Sequence, residues 1–159
     1  MATLTTTITE SITLDHGTVD STTTKTIDNI VDVYKRIITC VDDTDVIVLS
    51  FDTNVADTAV PALDIENTKY IRLTNLDGTN PIHINIVTDL NADGTATANI
   101  VHLLTAGQSL VLWDADESIS CHDSSTSIIA SLGDISNITV NPLSETVKCE
   151  VFAASTIVS

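Results

Sequence analysis

What limits this chain most is the spacing of its short runs rich in β-branched residues. Val46-Ile47-Val48-Leu49-Ser50-Phe51, Lys69-Tyr70-Ile71-Arg72-Leu73-Thr74-Asn75 and Ile82-His83-Ile84-Asn85-Ile86-Val87 are each strand-sized, as are Thr97 to Leu104, Ile135 to Val140 and Val147 to Ala153. Between them stand Asp77-Gly78, Asn80-Pro81, Asp93-Gly94, Gly107, Gly133 and Asn141-Pro142, residues that turn a chain and end its ladders. A chain punctuated this often has little room for helices. The pattern predicts roughly nine or ten short strands arranged as an all-β antiparallel β-sandwich or jelly roll. At 159 residues it makes one domain with a substantial core.

Along the chain, Thr7 to Leu14 places Ile8, Ile12 and Leu14 on one parity and hydroxyl residues on the other, the mark of a half-buried strand. His16-Gly17 then turns the chain, and Asp20 to Lys25 reads as a loop or a frayed edge. On this reading residues 1–20 form an N-terminal arm and first strand, and residues 21–159 the sandwich body. Ile27 to Val41 fits a helical repeat through Ile27, Ile30, Val31, Tyr34 and Ile38, and fits alternation through Val31, Val33, Ile37 and Val41. Its β-branched content favours strand. Val46 to Phe51 is apolar on both faces, as a central strand is. Asp52 to Thr68 is the longest irregular connection, and residues 69–75 with 82–87 read as a hairpin.

Composition excludes more than it assigns. Twenty-two acidic residues against six basic ones give a net charge of −16, which repels phosphate backbones and anionic bilayers, so neither nucleic acid nor membrane is an expected partner. Such acidity also keeps a protein soluble when it is packed at high local concentration. The first residues carry neither a basic start nor an apolar core, so no signal peptide is expected. Cys40, Cys121 and Cys149 lie far apart without metal-ligand spacing, and the odd number suits synthesis in a reducing cytoplasm.

Catalytic chemistry has few footholds. No GxSxG turn, phosphate-cradling loop or dinucleotide fingerprint occurs. Cys121-His122-Asp123 gathers nucleophile, base and acid, but neighbouring strand residues point to opposite faces. His83 and His102 fall on different strands, without the clustered histidines of a cupin-type metalloenzyme. Asp89-Leu90-Asn91-Ala92-Asp93-Gly94 matches the opening of a calcium loop, with Asp89, Asn91 and Asp93 as oxygen donors. The twelfth position is Ile100 where a bidentate Glu belongs, so a polar hairpin turn is the preferred reading and calcium the alternative. No catalytic residue and no cofactor is assigned.

The segment Lys69 to Gly78, then Ile82-His83-Ile84, then Leu104 to Trp113 with its Ala106-Gly107-Gln108-Ser109-Leu110 turn, resembles the small β-sandwich structural proteins of tailed bacteriophage virions. Asp134 to Val140 and Val147 to Ala153 are similar in style. The resemblance implies a non-enzymatic virion protein made in the host cytoplasm: a capsid decoration or cement protein, or a tail or head-tail component. Its partners would be itself, as a trimer, and the major capsid protein or another virion protein. The expected contact element is the N-terminal arm through Thr3, Leu4, Ile8, Ile12 and Leu14, because an extended terminus can add a strand to a neighbour. The alternative is a carbohydrate- or receptor-binding sandwich centred on Trp113 and Asp114.

Overall fold

The computed structural model describes residues 2–52, 63–89, 97–114, 120–122 and 132–156. Every regular element among them is a strand, and the strands form two packed sheets, the expected β-sandwich. In chain order they are β1 (Ala2–Leu14), β2 (Gly17–Cys40), β3 (Val46–Asp52), β4 (Leu63–Asp64), β5 (Thr68–Asn75), β6 (Ile82–Asp89), β7 (Thr97–Leu104), β8 (Ser109–Trp113), β9 (Ser120–His122), β10 (Leu132–Pro142) and β11 (Val147–Thr156). The first sheet runs β1-β2-β11-β5-β8. The second runs β4-β3-β10-β6-β7, with β9 also paired to β10. All pairings are antiparallel except β3 with β4.

Period-two alternation decides what lies between the sheets. From the first sheet come Cys40, Ile71, Leu73, Val147, Cys149, Val151 and Ala153; from the second, Val48, Leu49, Phe51, Ile82, Ile84, Ile86, Leu104, Ile135, Ile138 and Val140. Most are aliphatic, so the core is held by dense packing of branched side chains rather than by large rings. Removing one fully buried side chain, such as Leu73, leaves a cavity costing about 2–5 kcal/mol.

Several local expectations are corrected. The segments 69–75 and 82–87 are not a hairpin: β5 pairs with β11 and β8 in the first sheet, and β6 with β10 and β7 in the second. Their connection is a corner between sheets, built on Asn75. The Nδ2 of this buried residue donates to the Asn80 carbonyl at 2.8 Å and the Leu104 carbonyl at 3.2 Å, while its Oδ1 accepts from the Asp77 amide at 3.0 Å. Asp77 in turn accepts from the amides of Thr79 and Asn80, and those two bonds hold its carboxyl below its ordinary value. These side-chain bonds make a turn that closes on itself without a partner strand.

Val46 to Phe51 is not central; it lies beside the two-residue β4, and Ile47 is 62% exposed. Asn141 and Pro142 end β10, opposite His83 and Ile82, whereas Gly133 lies inside that strand and divides nothing. Pro is tolerated at a strand end because no further ladder amide is required there. Two more runs, Ser118 to Cys121 and Ser127 to Ser131, also read as strands from their sequence; the first corresponds to β9 at 120–122, and the second lies outside the described residues.

The largest correction concerns the first forty residues. Asp20 to Lys25 is neither loop nor frayed edge. It belongs to β2, which runs unbroken for 24 residues and pairs with the whole of β1. Ile27 to Cys40 is strand, as its β-branched residues favour, but Val31, Val33 and Ile37, like Val41 just past its end, are more than half or about half exposed. The inward side is taken instead by Tyr34, Ile38 and Cys40. Both parities of this segment are apolar, so pairing with β11, not composition, chooses the buried face.

Candidate assembly interface

The β1–β2 hairpin is built by a two-residue loop, Asp15-His16, with Leu14 opposite Gly17. Gly17 has φ 144°, a conformation that a Cβ would strain. From this loop back to Leu4 and Ile27 the register is regular, so the two faces can be read directly. On one face the pairs are Ile12 with Val19, Ile8 with Thr23, Leu14 with Gly17 and Leu4 with Ile27, interrupted by Glu10 with Ser21 and Thr6 with Lys25. On the other are Thr5 with Thr26, Thr7 with Thr24, Thr9 with Thr22, Ser11 with Asp20 and Thr13 with Thr18. Hydroxyls bridge the strands on this second face: Thr7 to Thr24 at 3.2 Å, and Ser11 Oγ donating to Asp20 at 2.6 Å.

One face is therefore aliphatic and the other is a sheet of hydroxyls, the arrangement of a ribbon that buries one side. Yet Ile8 is 43% exposed, Ile12 54%, Leu14 53% and Val19 58%. β11 stops supporting β2 at Ile30, so the ribbon beyond stands clear of the sandwich among the described residues. A two-stranded ribbon is marginal in water by itself, and an uncovered aliphatic face makes it more so.

The base of the ribbon is anchored. Leu4 and Ile27 join Ile30, Tyr70, Ala154, Phe152, Val111 and Trp113 in a second apolar cluster on the outer side of the first sheet. Tyr70 and Phe152 meet edge to face at 5.8 Å between ring centres. Two irregularities create this junction. β2 carries one extra residue against β1 between Ile27 and Ile30, where Asn29 has φ 62°, and another against β11 between Ile30 and Asp32. Bulges bend a strand and increase its twist. Here they bring both Ile27 and Ile30 onto the same cluster although they are three positions apart.

A cleft opens between Leu4–Thr7 of the ribbon and Lys35, Tyr70, Arg72 and Phe152 of the outer face. Glu150 draws its two cations together: Arg72 forms a direct ion pair with it, and Lys35 lies 3.6 Å from it. Arg72 also stacks over Phe152, 5.7 Å from the ring centre. All six cations of the chain, Lys25, Lys35, Arg36, Lys69, Arg72 and Lys148, lie on β2, β5 and β11. The second sheet and every connection are without a cation. The cations of an otherwise acidic molecule are therefore confined to one sheet.

Of the five contact residues expected from sequence, Ile8, Ile12 and Leu14 lie together on the open aliphatic face. Leu4 is spent inside the molecule, in the second cluster, and Thr3 donates to Asp28 at 3.0 Å. Sequence reasoning missed Val19 and the whole distal half of β2. Its signal was present: threonines at alternate positions on both sides of Asp15-His16-Gly17 mirror each other, as two paired strands require.

The other candidates are not brought together. Asp89 ends β6, while Asn91 and Asp93 lie outside the described residues. Cys121 and His122 sit in β9 opposite Gly133 and Leu132, and Asp123 lies outside the described residues. His83 and His102 stand on neighbouring strands, paired with Leu103 and Ile84 respectively, so they point to opposite faces. Among the described residues no three His, Cys, Asp or Glu side chains are grouped to hold a metal ion. Trp113 is half-buried against the second cluster rather than displayed as a platform. Among the described residues no helix is long and apolar enough to cross a membrane.

No protein-family model, curated protein or solved structure matches this chain.

Proposed function

We propose that this chain is a structural protein that works by contact rather than turnover, a homo-oligomeric capsid decoration protein of a tailed bacteriophage. The observation that carries this reading is the projecting β1–β2 ribbon, whose aliphatic face of Ile8, Ile12, Leu14 and Val19 is left in water. No strand among the described residues covers that face, so burying it against another surface is favourable. A closed assembly is proposed, because each copy would give one arm and receive one and closure leaves no arm unmatched; three copies is the number that the resemblance to decoration proteins implies. The resemblance drawn from Lys69 to Gly78 and from Leu104 to Trp113 supports the virion setting, with the major capsid protein as the surface decorated and no enzymatic role. An acidic exterior suits such a molecule, since it keeps free copies apart before they reach the shell.

Light scattering on the purified protein, followed by sedimentation with emptied capsids, tests the proposal. A trimer that co-sediments is expected, and the pair Ile12→Asp with Val19→Asp yields monomers that no longer do. A wild-type monomer that ignores capsids at high micromolar concentration overturns it.

A further inference from the structure

The ribbon is the donor of a contact, and the structure also holds its receptor. From Val31 to Cys40, β2 is paired with β11 on one edge only. On its other edge the pairing with β1 is described as far as Ala2 opposite Ile30, and among the described residues no strand lies beside positions 31 to 40. Among the described residues that edge has no ladder partner over ten positions, and the amides and carbonyls of every second residue point out along it. An open edge of this length, unprotected by proline, is a template for another strand.

We infer that this vacant edge of β2, Val31 to Cys40, together with the cleft beside it, receives the arm of a second copy of this chain. The inference rests on the self-association just proposed and names its site. Three independent features match. First, length: the outer edge of β1, Ala2 to Leu14, is thirteen residues long and has no partner among the described residues, so it is long enough to cover the ten positions of the receiving edge, about 34 Å. Second, surface: Val31, Val33 and Ile37 on the receiving strand are 56%, 50% and 59% exposed, and they face an arm carrying Ile8, Ile12, Leu14 and Val19. Third, charge: the arm from Thr5 to its partner Thr26 carries Glu10, Asp15 and Asp20 against the single cation Lys25. The receiving strand carries Lys35 and Arg36 against Asp32, with Arg72 on the cleft floor beside Glu150.

In a chain of net charge −16, two copies repel over most of their surfaces. Only strands of the first sheet carry Lys or Arg, so a net acidic arm is steered toward that sheet and repelled elsewhere. Lys35 and Arg36 are available for this role: Lys35 is 59% exposed beside Glu150, and Arg36 lies exposed over the Tyr34 ring at 5.5 Å.

Charge reversal with rescue tests the assignment, read by the self-association constant from analytical ultracentrifugation of the full chain. Lys35→Glu with Arg36→Glu is expected to weaken assembly by about tenfold or more, and Glu10→Lys with Asp20→Lys to do the same. Combining all four substitutions restores most of the loss. Lys69→Glu, which alters net charge away from the vacant edge, leaves assembly within about twofold of wild type. Circular dichroism melting of each variant separates lost contacts from lost folding. If the wild type assembles but the reversals at 35 and 36 have no more effect than Lys69→Glu, or the fourfold variant gains nothing, the receptor lies elsewhere although self-association stands. A monomeric wild type removes both.

Discussion

Asn75 shows how much of this fold depends on single polar side chains. It is fully buried, and its amide serves two carbonyls and one amide that belong to different parts of the corner between the sheets. Replacing it with Ala leaves those groups without partners in a region closed to water, and each orphaned group costs about 1–3 kcal/mol. Asn75→Ala therefore loses about 2–4 kcal/mol of stability in urea unfolding. Cys40 and Cys149 contribute differently, as small hydrophobes with free thiols. Burial lifts the Cys40 thiol from 9.0 to about 11; burial, then the neighbouring Cys40, lifts that of Cys149 to about 12. In the unfolded chain both ionise near their ordinary value, so the unfolded state sheds protons first as pH rises. The stability they contribute is complete below pH 9 and is lost between pH 9 and about 11–12. Urea midpoints measured from pH 8 to 11 fall accordingly, and the fall is shallower in Cys40→Ala with Cys149→Ala. Maleimide labels neither thiol in the folded protein at neutral pH.

At the scale of elements, β2 is the unusual one. It runs 24 residues, takes β1 on one edge for its first part and β11 on the other for its second, and bends where the two ladders meet. Asn29 sits at that bend with φ 62°, a conformation open to Gly and Asn and costly for a β-branched residue. Asn29→Gly is expected to leave the melting temperature nearly unchanged, while Asn29→Val costs about 1–2 kcal/mol and reduces assembly by misdirecting the arm. The length of β2 was only half legible in the sequence. Thr18, Thr22, Thr24 and Thr26 look like loop residues because nothing apolar alternates with them except Val19 and Ile27. Pairing with the equally threonine-rich β1 makes them a strand, and that is a property of two segments together. The corner at Asn75 was hidden for a related reason. Asp77-Gly78 followed by an apolar run describes a hairpin and a sheet-to-sheet crossing equally well, and the choice lies with β10 and β11, far along the chain.

For the whole molecule, the sandwich itself was legible, because short β-branched runs with frequent turn residues leave few other solutions. The aliphatic core follows from the same runs, with Ile82, Ile84 and Ile86 inward and His83, Asn85 and Val87 outward. Ile8, Ile12 and Leu14 were legible as a face but not as an exposed one, since alternation reports that a strand has two sides and says nothing of what covers either. The segregation of all six cations to one sheet was beyond reach too, because it needs the strand order. Once that order is known, the acidic composition takes on direction: the acidic charge of one sheet is offset by its cations, and the rest keeps neighbours at a distance.

The unbroken course of β2 also has a mechanical meaning. A pull applied at the Asp15-His16 tip travels down one continuous strand into the ladder with β11, which in turn is flanked by β5. Loaded lengthwise, that ladder must shear its cross-links together rather than open them one after another. An arm gripped at its far end thus behaves as a tether fixed at the centre of the sheet, and tension is carried by the body of each subunit instead of by a hinge.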